Sequence, residues 1–389
     1  MKFKHAYRLS LLLLLTLAPI APAADAPTGS TGITAALQPF VDRHALAGAV
    51  TLVADKDKIL SLEAVGFADL ATKKPMTTDA LFWIASQSKP ITATALMMLV
   101  DEGKVNLDDP VEKYLPEFKG QTVMVKEGVK FNIEKLPKHP ITVRNILTHT
   151  SGLPFKTAAE APTLDLLPLR EAVQSYAKSS LLFEPDTKYQ YSNAGINTAG
   201  RIIEVVSGMP YEDFLDKRLF GPLGMKDTTF WPNEQQVERL AKSYRANKDK
   251  TGLEEVQVSQ LKYPLNDHSS RYPMPAGGLF STATDCGRFC QMILNGGKFE
   301  GRTYLSPTAV EQMTSKQTGE LPNPYGFGWA TGGGVIGHGG AYKTLMNVDS
   351  KAGLVTVYMI QAASDLPNGG NKAIDAFKNA VREQFAPAN

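Results

Sequence analysis

Leu81-Phe82-Trp83-Ile84-Ala85-Ser86-Gln87-Ser88-Lys89-Pro90 is the stretch on which the reading of this chain turns. The apolar run Leu81 to Ala85 is strand-like, and the residues after it are patterned as a helix. Ile91, Ala95, Leu96, Leu99 and Val100 recur at 3.6 spacing until Gly103 stops them. Ser86 and Lys89 stand three apart at the head of that helix, so they share a face and the lysine amine reaches the serine oxygen. A serine hydroxyl at its ordinary pKa is a poor nucleophile, and a neighbouring base that takes its proton remedies this. The expectation is acyl transfer on Ser86.

The four residues alone do not carry that reading, because S-x-x-K recurs at Ser175 with Lys178 and at Ser259 with Lys262. Ser175 lies in the polar segment 170–180, which reads as a solvated helix face. Ser259 runs into Lys262-Tyr263-Pro264, where proline disfavours the helix that would align the pair. Only Ser86 has an apolar lead-in and a helix behind it.

Working outward to the N-terminus, Met1 to Ala23 reads as a secretory signal. Lys2, Lys4 and Arg8 form a basic start, Leu9 to Ala18 an apolar core, and Ala21-Pro22-Ala23 a small-residue cleavage site. The apolar core is too short to span a bilayer, which takes about 20 residues, and no cysteine stands near the cleavage site to carry a lipid anchor. A periplasmic or secreted protein with no stable membrane anchor is expected. The full chain has 41 Lys plus Arg against 39 Asp plus Glu; removing the three basic residues of the signal leaves 38 against 39. With no basic cluster interleaved with aromatics, nucleic acid is not an expected partner.

Cys286 and Cys290 are the only cysteines. An exported protein allows a disulfide, but residues four apart on a helix hold their Cβ atoms about 5 to 6 Å apart, beyond the roughly 3.5 to 4.5 Å a disulfide needs. Buried core thiols are expected. His5, His44, His139, His149, His268 and His338 are scattered without metal-ligand spacing, so neither a metal nor a cofactor is implied.

Periodicity gives a short helix through Ile33, Leu37, Phe40 and Val41, then strands at Ala49–Ala54 and Ile59–Phe67. From Asp108 to about Tyr272, helix-patterned segments such as Ile196–Ser207 and Tyr211–Leu219 alternate with Pro/Gly turns, with a hairpin at Val123–Ile133. Beyond Gly278 come a helix at Asp285–Leu294 capped by Asp285, strands at Tyr325–Ala330, Leu345–Val348 and Leu354–Gln361, and a closing helix with Ile374, Phe377, Val381 and Phe385. The fold class is α/β of the α+β kind: one antiparallel sheet built from both ends of the chain, flanked by helices, with a mostly helical inserted lobe. After the signal, 24–389 forms a single hydrolase domain, its sheet lobe about 31–107 and 273–389 and its helical lobe about 108–272.

Two further motifs carry chemistry. Tyr191-Ser192-Asn193 is the only Y-x-N and precedes a helix. By itself it is a capped turn; beside a cationic lysine, the Tyr191 phenol would have its pKa lowered and accept a proton, and the Asn193 amide offers substrate a donor and an acceptor. His338-Gly339-Gly340-Ala341 is the only H-x-G, either a glycine-rich hairpin or a wall that substrate approaches closely. The backbone N–H groups of Ser86 and Ala341 would converge there on a developing oxyanion.

In the order S-x-x-K, Y-x-N, H-x-G, these motifs resemble the serine β-lactamase and penicillin-binding protein superfamily, and within it the class C β-lactamase and family VIII esterase branch. Leu147-Thr148-His149-Thr150-Ser151-Gly152-Leu153 and Gly277-Gly278-Leu279-Phe280-Ser281-Thr282 extend the resemblance over nearly all the mature chain. It implies a β-lactamase/transpeptidase-like fold, acylation of Ser86, proton transfer shared by Lys89 and Tyr191, and release of the acyl group by water. Asn193, His338, Gly339 and Gly340 are the implied substrate-binding residues, and the loop of His149, Thr150 and Ser151 reads as a structural turn. True class C enzymes carry K-T-G where this chain has His338-Gly339-Gly340; Lys343-Thr344 nearby runs into Leu345 and does not replace it. Without a fixed cation, an anionic β-lactam should bind less well, so a small neutral ester or amide is the expected substrate. An esterase leads, with a β-lactamase or D-alanyl peptide hydrolase as one rival and a non-hydrolysing sensor as another.

Overall fold

The strand Gly48–Ala54 is buried along its whole length, and the sheet assembles around it. In the computed structural model, which describes residues 32–127 and 131–385, seven strands pair in the order 330–332, 335–339, 345–349, 354–359, 48–54, 59–69, 74–75. Each neighbouring pair is antiparallel, with Leu52 opposite Val357 on one side and Leu62 on the other. The sheet therefore joins the two ends of the described chain.

Period-2 alternation divides the central strand between two cores. Ala49 and Val53 face a cluster with Ile33, Leu37, Phe40 and Val41 of the helix Gly32–Asp42 and with Phe377 and Val381 of the helix Ala373–Phe385. Val50, Leu52 and Ala54 face the other side, where the helix Ala283–Leu294 lies. That helix packs closely because Gly287 meets Leu52: a Cβ there would stand 2.9 Å from Leu52 Cδ1. Cys286 and Cys290 are free, buried thiols on the same helix; burial pushes Cys286 up to about 12. The cluster around Leu52 continues through the helix Ser88–Asp101 to Ile196, Ile202 and Ile203 of the helix Asn193–Ser207.

Two local expectations need correction. The cap of the helix Ala283–Leu294 is Thr282, whose Oγ1 accepts from Asp285 N at 3.2 Å; the Asp285 carboxylate instead accepts from Thr228 and the Asp227 backbone. Tyr325–Ala330 is not a strand but a loop closed by one Tyr325–Ala330 bridge. Gly328 turns it with φ of +75°, and Gly326 packs where a Cβ would lie 2.1 Å from Met313 O. The inserted segment holds the expected hairpin, Val123–Glu127 with Phe131–Lys135, and a second one that its pattern does not announce, Ser243–Ala246 with Leu253–Val256. The expected signal Met1–Ala23 lies outside the described residues.

Candidate active site

The short strand Phe82–Trp83 pairs with Phe280–Ser281 and delivers the chain to a turn at Ala85, whose φ is +47°. Left-handed backbone at a residue with a Cβ costs roughly 1 to 2 kcal/mol. Here it is fixed from both sides: Ser88 Oγ donates to Ala85 O at 2.7 Å, and Ile84 N donates to Leu279 O at 3.0 Å. Ser86 follows at the first turn of the helix, partly exposed, while Lys89 is completely buried.

Lys89 Nζ lies 3.1 Å from Ser86 Oγ, 2.8 Å from Asn193 Oδ1 and 2.7 Å from Ala276 O. Burial holds its pKa well below the usual lysine value. In its uncharged form the amine gives its two N–H donors to the Ala276 carbonyl and the Asn193 amide oxygen and turns its lone pair to the Ser86 hydroxyl; in the ammonium form all three oxygens accept. Neither of the other S-x-x-K serines is so placed. Ser175 Oγ donates to Ala172 O at 2.6 Å, and Ser259–Lys262 forms no helix, with Lys262 N donating to Asp165.

Tyr191 stands across Lys89, whose Nζ is 4.6 Å from its ring centre. The expected lowering of its phenol pKa is overturned. Burial raises the phenol above its ordinary value, offset in part by a hydrogen bond with Ser86, and the same burial disfavours the Lys89 charge on which the expectation relied. Asn193 begins the next helix, which Ser192 caps by accepting from Gly195 N at 3.0 Å.

His338 lies on the strand Val335–Gly339, opposite Met346. Its Nδ1 sits 2.8 Å from Gly339 O; a carbonyl only accepts, so Nδ1 carries the proton and Nε2 presents a lone pair. Nε2 faces Tyr325 Oη at 3.1 Å and Tyr191 Oη at 3.4 Å. Burial, reinforced by Lys89, pushes the imidazole down to about 3. The ring is buried behind Tyr191, away from the cleft lining.

That cleft, about 330 Å³, is lined by Ser86, Tyr191, Asn193, Gly339, Gly340 and Ala341 together with Trp83, Phe155, Leu164, Gln260, Met274, Ala276 and their neighbours. Gly340 closes against the nucleophile turn: a Cβ there would fall 2.6 Å from Ile84 O. Its N–H donates to Thr344 O at 2.8 Å, so Ala341 is the next residue to offer one. Lys343 turns the other way and pairs with Asp365 at 3.2 Å.

Three contributors were not legible as such. Ala276 acts through its backbone carbonyl, which no side-chain pattern reveals. His149 caps the helix Val143–Thr148 with φ of 62°, so it does form a turn, but its ring also packs on Tyr191 and Tyr325 at 4.5 and 4.8 Å between centres. Tyr325 reaches the site from the loop that its apolar pattern presents as a strand; the glycines of Tyr325-Gly326-Phe327-Gly328 were the available signal against that strand.

The Beta-lactamase family model matches residues 33–378. Among curated proteins, Protein Rv1367c of Mycobacterium tuberculosis is 31% identical over 366 residues, covering 85% of this chain and 90% of that protein. Esterase EstB of Burkholderia gladioli is 28% identical over 365 residues, covering 83% and 88%. Among solved structures, EstCE1, described as a hydrolase with promiscuous acyltransferase activity, superposes with a TM-score of 0.73 at 24% identity, covering 90% of this chain and 97% of that one.

Proposed function

Because this chain belongs to the beta-lactamase family and is a serine hydrolase, we propose that it is an esterase acting on small neutral carboxylic esters through an acyl-enzyme on Ser86. The observation that carries this is the cleft. Its described lining includes Trp83, Phe155, Leu164 and Met274 and holds no charged side chain, and the histidine at the third motif is neutral. An apolar wall favours an uncharged acyl group, and nothing there offers a β-lactam carboxylate the charge-assisted contact worth about 1.5 to 3 kcal/mol.

In the proposed cycle, the Lys89 lone pair takes the Ser86 proton as Oγ attacks the carbonyl carbon. The backbone N–H groups of Ser86 and Ala341 hold the oxyanion. On collapse, the C–O bond to the leaving alcohol breaks and Tyr191 gives that oxygen its proton, leaving acyl-Ser86, the Lys89 ammonium and a Tyr191 phenolate. The new ammonium beside the ring lowers the cost of that phenolate. The phenolate then takes a proton from water as the hydroxide attacks the acyl carbon; the acyl C–Oγ bond breaks, Lys89 returns its proton to Ser86 Oγ, and the carboxylic acid leaves. Lysine and tyrosine thus exchange charge within each turnover and recover together.

The test is a substrate panel: p-nitrophenyl acetate and butyrate, a chromogenic cephalosporin and a D-Ala-D-Ala peptide, with fluorophosphonate labelling. Esters should lead in kcat/KM, and one label should map to Ser86 and vanish in Ser86→Ala. A cephalosporin turned over better than any ester would transfer the proposal to a β-lactamase. We also propose export directed by Met1–Ala23, on the sequence pattern alone; a mature protein beginning at Ala24 in the periplasm or medium is the expected mass-spectrometric result.

A further inference from the structure

One lone pair on His338 Nε2 faces two phenols. Since Nδ1–H is committed to Gly339 O, Nε2 accepts one hydrogen bond and no more. Tyr325 is the nearer, at 3.1 Å against 3.4 Å for Tyr191. Its hydroxyl is deeply buried on the loop before the strand Ala330–Gly332 and meets no other acceptor among the described residues, so without His338 it would be an unsatisfied buried donor, which costs about 1 to 3 kcal/mol. Tyr191 has alternatives, since it lines the cleft and meets Ser86.

We infer that Tyr325 is a positioning residue for the proton of Tyr191: by donating to His338 Nε2 it occupies that lone pair and leaves the Tyr191 O–H for the leaving oxygen in the cleft. Remove the Tyr325 hydroxyl, and His338 Nε2 becomes the best acceptor within reach of Tyr191. The Tyr191 proton then turns away from the cleft. The other groups around Tyr191 do not compete for it. Lys89 engages Ser86, Asn193 and Ala276. His149 Nδ1 accepts from Ser192 N at 3.2 Å, so its Nε2 bears the proton and offers Tyr191 no lone pair; that buried nitrogen meets no partner among the described residues. Phe155 offers only a stacked ring, and Tyr189 packs edge-on to His149.

This rests on the acyl-enzyme reading above, and leaving-group chemistry separates the two. p-Nitrophenolate departs without help, whereas an ethoxide needs a proton as the C–O bond breaks. Ethyl butyrate and p-nitrophenyl butyrate share an acyl group, and kcat/KM reports the steps through acylation. In Tyr325→Phe, kcat/KM for the ethyl ester should fall at least about tenfold, toward the range general acids supply, while the p-nitrophenyl ester changes less than about threefold. The double variant Tyr325→Phe/His338→Phe removes donor and acceptor together, which leaves no buried polar orphan; its ratio of the two esters should return to within about twofold of wild type. A Tyr325→Phe loss equal for both esters overturns the inference. So does a ratio in the double variant as altered as in the single one, a result that decides the matter even where Tyr325→Phe alone does not fold by circular dichroism. Persistent activity in Ser86→Ala would instead sink the acyl-enzyme reading itself.

Discussion

Replacing Asn193 by aspartate changes one atom's charge 2.8 Å from Lys89 Nζ and leaves the shape of the site nearly alone. At an effective dielectric constant of about 20, opposite unit charges at that distance attract by about 6 kcal/mol. Burying a new carboxylate takes back a good part, so about half is a prudent expectation, or roughly two pKa units at 1.36 kcal/mol each. The sign depends on which state binds the proton. In wild type, burial lowers Lys89, and the amine is free to act as base above that depressed value. Asn193→Asp stabilises one extra proton on the Lys–Asp pair, so the acid limb of kcat/KM should move up by at least about two pH units. On the acid side of the wild-type limb that is roughly a hundredfold loss, recovered on raising the pH. Asn193→Ala is the control: it removes one neutral acceptor and should cost about tenfold without moving the limb. The assay is a pH series of p-nitrophenyl butyrate hydrolysis for the three proteins. An unmoved limb with a large loss in Asn193→Asp would show that Lys89 is not the base.

Lys89→Ala and Tyr191→Phe should each lose at least about a hundredfold in kcat, and the double variant little more, because the two exchange one pair of protons; cleanly multiplying losses in single-turnover kinetics would contradict this. Folding stability should fall on acidification. His338, held near 3, refuses a proton that the unfolded chain accepts near 6.5, so its contribution is complete above about pH 6.5 and is lost as pH falls toward 3. Between pH 6.5 and 5 that is about 1.6 kcal/mol, seen in urea midpoints and missing in His338→Phe; Lys89 and His149, lowered in the same direction, leave a residual slope. Arg271→Met should cost about 3 to 5 kcal/mol, because it strands Asp165, completely buried and paired at 2.7 Å, and should raise KM, since Asp165 O and Leu164 N tie the cleft wall to Tyr272 and Gln260. An unchanged denaturation midpoint would refute it.

What the sequence disclosed was whatever repeats with a period or depends on side-chain type. The strand Gly48–Ala54 shows as an apolar β-branched run, the helix Ala373–Phe385 as Phe377 and Val381 four apart, and Ser86 with Lys89 as an i, i+3 pair. Backbone chemistry stayed hidden. The carbonyl of Ala276, the positive φ of Ala85 and the packing of Gly340 on Ile84 O belong to chain path, to which residue type is a weak guide. Tyr325 was lost differently: strand propensity outweighed the glycines beside it, and a loop side chain was assigned to a sheet.

Electrostatics were legible in kind and wrong in sign. A lysine near Tyr191 was expected to lower the phenol, which presumes a charged lysine. Burial works against that premise, since Lys89 is fully enclosed and its three oxygen partners, on Ser86, Asn193 and Ala276, are all uncharged. With burial disfavouring the charge on Lys89, the neutral His338 is easier to understand. A second cation at the third motif would face Tyr191 and oppose the protonated Lys89 formed on acylation, whereas an imidazole whose lone pair is engaged by Tyr325 adds no charge at any stage. Across the proposed cycle, the site therefore carries no net charge at rest and one internal ion pair in the acyl-enzyme, which is the arrangement an apolar cleft and an uncharged substrate require.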